Sequence, residues 1–177
     1  MNIIPVDEIQ AELLKANIQK QNFPKNIGFT FDPLYTHIVS QMKTMEISSE
    51  CILYSSAEAS NTTKEFSNKA YWDETVAQNE IDTFWFFGQN GQGDLWLFDS
   101  HNTVHFYDHD KEEMHPKNFL NLKLNFGQWL QLAFLVKQLD EMYDTVGKIN
   151  TKTLLEFKGH LQAISRHLSE NYPFRIG

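Results

Sequence analysis

The stretch from Asp82 to Tyr107 constrains this chain more than any other part of it. Asp82-Thr83-Phe84-Trp85-Phe86-Phe87-Gly88 is dense in aromatic residues, and Gln89-Asn90-Gly91-Gln92-Gly93 follows it directly. Asn-Gly takes up positive φ readily, so this segment predicts a turn. Asp94-Leu95-Trp96-Leu97-Phe98-Asp99 repeats the aromatic pattern. Ser100-His101-Asn102 reads as a second turn and Thr103-Val104-His105-Phe106-Tyr107 as a third strand. Three strands joined by short turns make an antiparallel meander. Residues 85, 87, 95, 97, 104 and 106 are expected to share one face, leaving Phe84, Phe86, Trp96, Phe98, His105 and Tyr107 on the other. Both faces are apolar. A sheet with one wet face would alternate with polar residues, so this one calls for cover on both sides.

Helical spacing frames the meander. Val6, Ile9, Leu13, Leu14 and Ile18 recur at three- and four-residue steps, with acids early and lysines late, and predict an amphipathic helix over 6–20. Asp32-Pro33 reads as the N-cap and first position of a helix over 33–45, buried through Leu34, Ile38, Met42 and Met45. Residues 51–56 read as a short strand. Residues 57–79 are polar, with Phe66, Tyr71 and Trp72 as anchors, and fit either a helix or a long loop. A helix over 126–142 carries the stripe Trp129, Leu132, Ala133, Val136, Leu139 and Tyr143, and Gly147 ends it. A last helix over 152–170, capped by Thr151 or Thr153, buries Leu154, Leu155, Leu161, Ile164 and Leu168. Helices, a meander and helices again, with no βαβ alternation, predict an α+β fold. Its central antiparallel sheet is the meander of about 82–107, flanked by N-terminal and C-terminal helices in one domain over 1–177.

Fifteen basic against 23 acidic residues give a net charge of -8. That balance argues against nucleic acid as a partner, because a phosphate backbone selects Lys and Arg. The single cysteine, Cys51, rules out an intramolecular disulfide and fits a reducing cytoplasm. No signal peptide is visible, and no apolar run approaches the roughly 20 residues of a membrane span. A cytoplasmic chain without a membrane partner is the expectation.

Imidazoles and carboxylates crowd one short segment: Asp99, His101, His105, Asp108, His109, Asp110, Glu112, Glu113 and His115. Such side chains together can hold zinc, iron or manganese. A metal-dependent enzyme built on this cluster would use His105, Asp108 and His109. No recognised ligand spacing accompanies them, and the competing reading is a solvated acidic turn in which Asp108 and Asp110 bond local amides. Gly91-Gln92-Gly93 lacks the third glycine and following helix of a nucleotide loop, so no cofactor is expected. A lone cysteine reads as a small buried hydrophobe, and there is no Gly-x-Ser-x-Gly elbow. No catalytic residue is assigned.

Charge is distributed unevenly along the chain. From Asp73 to Glu113 there are ten acidic residues and one basic residue, Lys111, a net of -9. A solvated face is the plain reading of such a run. The functional reading is a patch that steers a basic protein partner, with aromatics nearby as anchors. Its candidate residues are Asp82, Asp94, Asp99, Asp108, Asp110, Glu112 and Glu113, with Trp72, Trp96 and Tyr107, and Tyr71 beside them. A general interaction scaffold with several partners would use the same features.

The run from Asp82 to Asp99, with its Gly-x-Gly turn and aromatic strand ending in Asp, resembles the central signature of the SUKH superfamily. So does Val104-His105-Phe106-Tyr107-Asp108-His109-Asp110, and Phe126–Leu130 resembles the helix that comes next there. The resemblance covers about residues 82–135. It implies an α+β fold around an antiparallel sheet and a non-enzymatic role. Many bacterial members are immunity proteins that bind and neutralise a cognate toxin of a polymorphic toxin system. Such toxins are often nucleases with basic surfaces. Fungal members act instead as regulatory scaffolds in cell-wall signalling.

Overall fold

The computed structural model describes residues 1–15, 23, 28–111 and 113–174. The helical positions expected over 16–20, and Glu112, lie outside the described residues.

Six strands pair in chain order, all antiparallel, in one sheet: β1 (Met45–Ser48), β2 (Cys51–Leu53), β3 (Trp85–Gln89), β4 (Leu95–Phe98), β5 (Val104–Tyr107) and β6 (Phe119–Leu124). The described helices are α1 (Val6–Leu13), α2 (Pro33–Val39), α3 (Ser56–Phe66), α4 (Gln78–Ile81), α5 (Phe126–Val146), α6 (Thr151–Ile164) and α7 (Leu168–Asn171). The fold is α+β with a central antiparallel sheet, and the meander expected over 82–107 is β3, β4 and β5.

The register of β4 differs from expectation. Trp85 pairs with Phe98 and Phe86 with Leu97, but Gly88 faces Trp96 across a bulge. A one-residue slip exchanges the two faces of a strand. Trp85, Phe87, Trp96, Phe98, Val104 and Phe106 therefore share one core, and Phe84, Phe86, Leu95, Leu97 and Tyr107 belong to the other. The bulge makes the slip: from the turn, where Asn90 N donates to Asp94 O at 3.0 Å, through Gly88–Trp96 the pairing keeps the expected parity, and beyond the bulge at Phe86–Gly88 it is offset by one residue. Gly88 is required at the bulge, since a Cβ there would lie 2.5 Å from the Ile52 carbonyl oxygen.

Both faces are covered. α1, α2, α5, α6 and α7 pack on the larger core, where Phe87 stacks on Phe98 with centroids 4.1 Å apart. Each fully buried aromatic contributes about 1.5–3 kcal/mol through burial. The excursion between β2 and β3 supplies the second cover, through Phe66 of α3, Trp72, Val76 and Ile81. Thr63 Oγ1 of α3 accepts from Phe86 N at 2.9 Å and locks that layer to β3.

Helix ends follow the sequence closely at some caps and not at others. Asp32 accepts from Leu34 N with Pro33 behind it, as expected, yet α2 stops at Val39 because the chain turns there into edge strand β1. Met42 still reaches the core from that turn. Asn150, rather than Thr151 or Thr153, caps α6, and that helix ends at Ile164 before the separate α7. α5 opens on a reciprocal capping box between Asn125 and Gln128, and Gly147 ends it at φ 72°.

Helix α5 is longer than the sheet beneath it. Its 21 residues span about 31 Å at 1.5 Å each, whereas six strands about 4.8 Å apart make a sheet about 24 Å wide. It starts directly after β6 and crosses back to β1, so its last turns outrun the sheet. Burial stops at Val136, and Tyr143, expected in the buried stripe, is 55% exposed. Leu155, expected inside α6, is 66% exposed because the buried side of that helix is Thr153, Phe157, Leu161 and Ile164.

Candidate functional site

In an antiparallel meander, alternate turns fall at the same end of the sheet. The β1–β2, β3–β4 and β5–β6 connections here bring Glu50, Asp94 and the segment Asp108–Asp110 together at one end. α5 adds Asp140, which accepts from Ser49 N at 2.9 Å and Ser49 Oγ at 3.2 Å. Asn90 stitches the turns: its Nδ2 donates to Asp94 Oδ2 at 2.7 Å and to Glu50 Oε2 at 3.3 Å. His109 closes the set, with its backbone N 2.9 Å and its Nδ1 2.6 Å from Asp94 Oδ1. Asp108 Oδ1 accepts from Asp110 N at 3.0 Å and holds the loop in shape. Asp110 bonds no local amide among those described. Its carboxylate lies 3.6 Å from His109 Nε2 and its side chain is 87% exposed.

These charges feel one another. Burial, and then the proximity of Asp140 and Asp94, push the Glu50 carboxyl up from its ordinary range against the pull of Asn90. The hydrogen bond to Asp94 raises the His109 imidazole, and the fields of Asp94, Asp110 and Asp108 add to it. Tyr107 is raised by burial and by Asp108 and Asp94. Among the described residues, no Lys or Arg forms an ion pair with Glu50, Asp94, Asp108, Asp110 or Asp140. A groove of about 330 Å³ beside Asp108 does carry Lys111 and Lys117 on its walls.

The candidates read from the sequence divide between places. Asp94, Asp108 and Asp110 share the end just described. Asp82 and Asp99 lie at the opposite end, where β3 begins opposite the finish of β4. Asp82 accepts from Gln78 Nε2 at 2.8 Å. Asp99 accepts from His101 N and Thr103 N and fastens the β4–β5 turn. Exposed Glu113 sits beside the bridge between Trp72 and Met114. The acidic segment is thus not one patch.

The aromatic anchors are corrected as well. Trp72, Trp96 and Tyr107 are 6%, 0% and 7% exposed, because both faces of the sheet are covered. Their polar ends bond inward: Trp72 Nε1 to Phe66 O, Trp96 Nε1 to Glu50 O, and Tyr107 Oη to Lys111 O. Tyr71 is 46% exposed.

His105 does not join His109 and Asp108. Strand alternation sets it beside Leu97, and its Nε2 lies 3.2 Å from Asp99 Oδ2 near the other end of the sheet. The metal trio that does converge is Asp94, Asp108 and His109, with one donor atom from each within 4.8 Å of the others. Asp94 Oδ1 is already engaged by His109, so a cation would compete with that pair. Sequence reasoning missed Glu50 and Asp140. They lie outside the acidic segment, and contacts across 40 residues (Asn90 with Glu50) and 91 residues (Ser49 with Asp140) bring them in.

No helix among the described residues is long and apolar enough to cross a membrane. In comparison with known proteins, no family model, curated protein or solved structure matches this chain.

Proposed function

We propose that this chain is an immunity-type binding protein of the SUKH kind, which docks on a cationic toxin domain in the cytoplasm and neutralises it without chemistry of its own. A nuclease fits as the toxin class, since its active-site surface is built for phosphate. The observation that carries this reading is the acidic end of the sheet: Glu50, Asp94, Asp108, Asp110 and Asp140 gathered from three turns and one helix. Carboxylates assembled there create a field that steers a positive surface and fixes its orientation.

The test is surface plasmon resonance against the C-terminal toxin domain encoded beside this chain, across a range of salt. Association weakens as salt rises if exposed charge drives it. Asp108→Asn with Asp110→Asn slows association and leaves dissociation little changed. No binding, or binding that strengthens with salt, overturns the reading.

A second reading is favoured by the Asp94, Asp108 and His109 trio alone: a divalent cation held at the same end. Calorimetric titration with zinc and with manganese distinguishes the two. Stoichiometric binding lost in Asp108→Asn supports the ion.

A further inference from the structure

We infer that the last turns of α5 carry the apolar anchor of the interface, and that its occupant is a lysine- or arginine-rich segment of another protein with an apolar face. This deepens the proposal of a cationic partner and rests on it.

Met142, Tyr143 and Val146 are 36%, 55% and 65% exposed. At about 100° per residue, Met142, Val146 and Tyr143 form one stripe along α5, and Asp140 and Asp144 form the adjoining stripe. The two stripes have different surroundings. Asp140 is tied to the β1–β2 turn through Ser49, next to Glu50, and through Asn90 to Asp94. The apolar stripe therefore borders the acidic end of the sheet directly. It stands there because α5 is longer than the sheet it crosses is wide.

Isolated exposed apolar side chains are ordinary. Three on one helix face, against a carboxylate cluster, have the composition of a binding surface: an apolar centre with a charged rim. Tyrosine is suited to the centre, as it offers a large rigid area with a polar tip. Charge selects the occupant. The chain carries -8 overall, and the neighbours of the stripe are Asp140, Glu141 and Asp144, so a second copy would bring like charges together. A basic segment with an apolar face satisfies both stripes at once.

The experiment uses the full chain and two synthetic probes of equal length and charge: an amphipathic lysine–leucine helix and a lysine–glycine peptide. Wild type binds the amphipathic probe about tenfold more tightly or better, as expected for hot-spot anchors. Tyr143→Ala with Val146→Ala abolishes that difference and leaves lysine–glycine binding in place. Asp108→Asn with Asp110→Asn weakens both probes. If the alanine pair leaves the preference intact, the anchor lies elsewhere, while salt-sensitive binding of both probes keeps the cationic-partner reading standing. If neither probe binds, that reading fails and this inference with it. A concentration-dependent dimer in sedimentation, dispersed by Val146→Asp, makes a second copy the occupant and overturns the inference.

Discussion

His109 is fastened to Asp94 twice, through its backbone N–H at 2.9 Å and its ring Nδ1 at 2.6 Å, both on the same carboxylate oxygen. Fifteen residues separate the two, so this one carboxylate ties the β5–β6 loop to the β3–β4 turn. The pair makes stability depend on pH with a defined sign. The imidazole is raised above its ordinary 6.5 by Asp94. Its contribution is complete below that ordinary value and disappears as pH rises through the raised folded value. Wild type therefore gains Tm over Asp94→Asn on moving from about pH 8.5 to about pH 6. Thermal melts at both pH values check this, and NMR titration places the His109 pKa lower in the variant. An equal gap at both pH values would refute the coupling.

Tyr35 and Trp85 share a buried hydrogen bond, Nε1 to Oη at 2.7 Å, between α2 and the sheet. Burial pushes the Tyr35 hydroxyl well up, so it stays neutral and available as an acceptor. Tyr35→Phe keeps the ring and its edge contacts with Phe98 and Phe126 but strands the indole N–H. The loss is about 1–3 kcal/mol in urea denaturation, the penalty of an unsatisfied buried donor. A change within error would show that the indole finds another partner.

Gly88 and Gly91 stand three residues apart and respond oppositely to alanine. At Gly88 the new methyl would sit 2.5 Å from a backbone oxygen of β2, which cannot move without breaking the pairing. Gly88→Ala is expected to lose about 1–3 kcal/mol or more, as overpacking does. At Gly91 the nearest atom is Ser49 O at 3.8 Å, an ordinary contact. Gly91→Ala is neutral or gains about 0.4–1 kcal/mol by restricting the unfolded chain. Chemical denaturation of both variants decides the contrast.

Much of this architecture is visible in the residues because local physics writes it there. The aromatic strands, the turn at Asn90–Gly93, the Asp32-Pro33 cap and the stop at Gly147 depend on neighbours a few positions away, although the positive φ of that turn falls on Gly93 rather than on Asn90 or Gly91. β6 alternates exposed and buried residues over Asn121–Leu124, yet sequence reasoning missed it, because its six residues lack the aromatic density that marks β3–β5. The faces of β4 depend on a bulge, which a pattern of period two cannot reveal. The site is hardest to read. Counting charge along the chain joins Asp82 and Asp99 to Asp94, although strand direction sends them to opposite ends of the sheet. The same count stops at Glu113 and so leaves out Asp140, which the fold delivers to the acidic end. Tyr143 fits a helical stripe, yet the sheet beneath that stripe has already run out.

Glu50 separates stability from function. Its carboxyl is pushed above the ordinary 4.5 by burial first and by Asp140 and Asp94 after that. For an acid, a raised folded value means that the folded state disfavours the ionised form. The resulting loss of stability is absent below the ordinary value and grows as pH rises through the raised one. Glu50→Gln removes the charge and keeps an acceptor for Asn90, so it is expected to raise Tm at about pH 7 and to match wild type at about pH 4. A carboxyl half-buried among other carboxylates costs the fold stability, which a site under selection for something besides stability tolerates. The same variant should therefore bind the lysine–leucine and lysine–glycine probes more weakly than wild type at neutral pH, by a margin that shrinks with added salt. Higher Tm together with undiminished binding would leave Glu50 as a structural strain and remove it from the acidic interface.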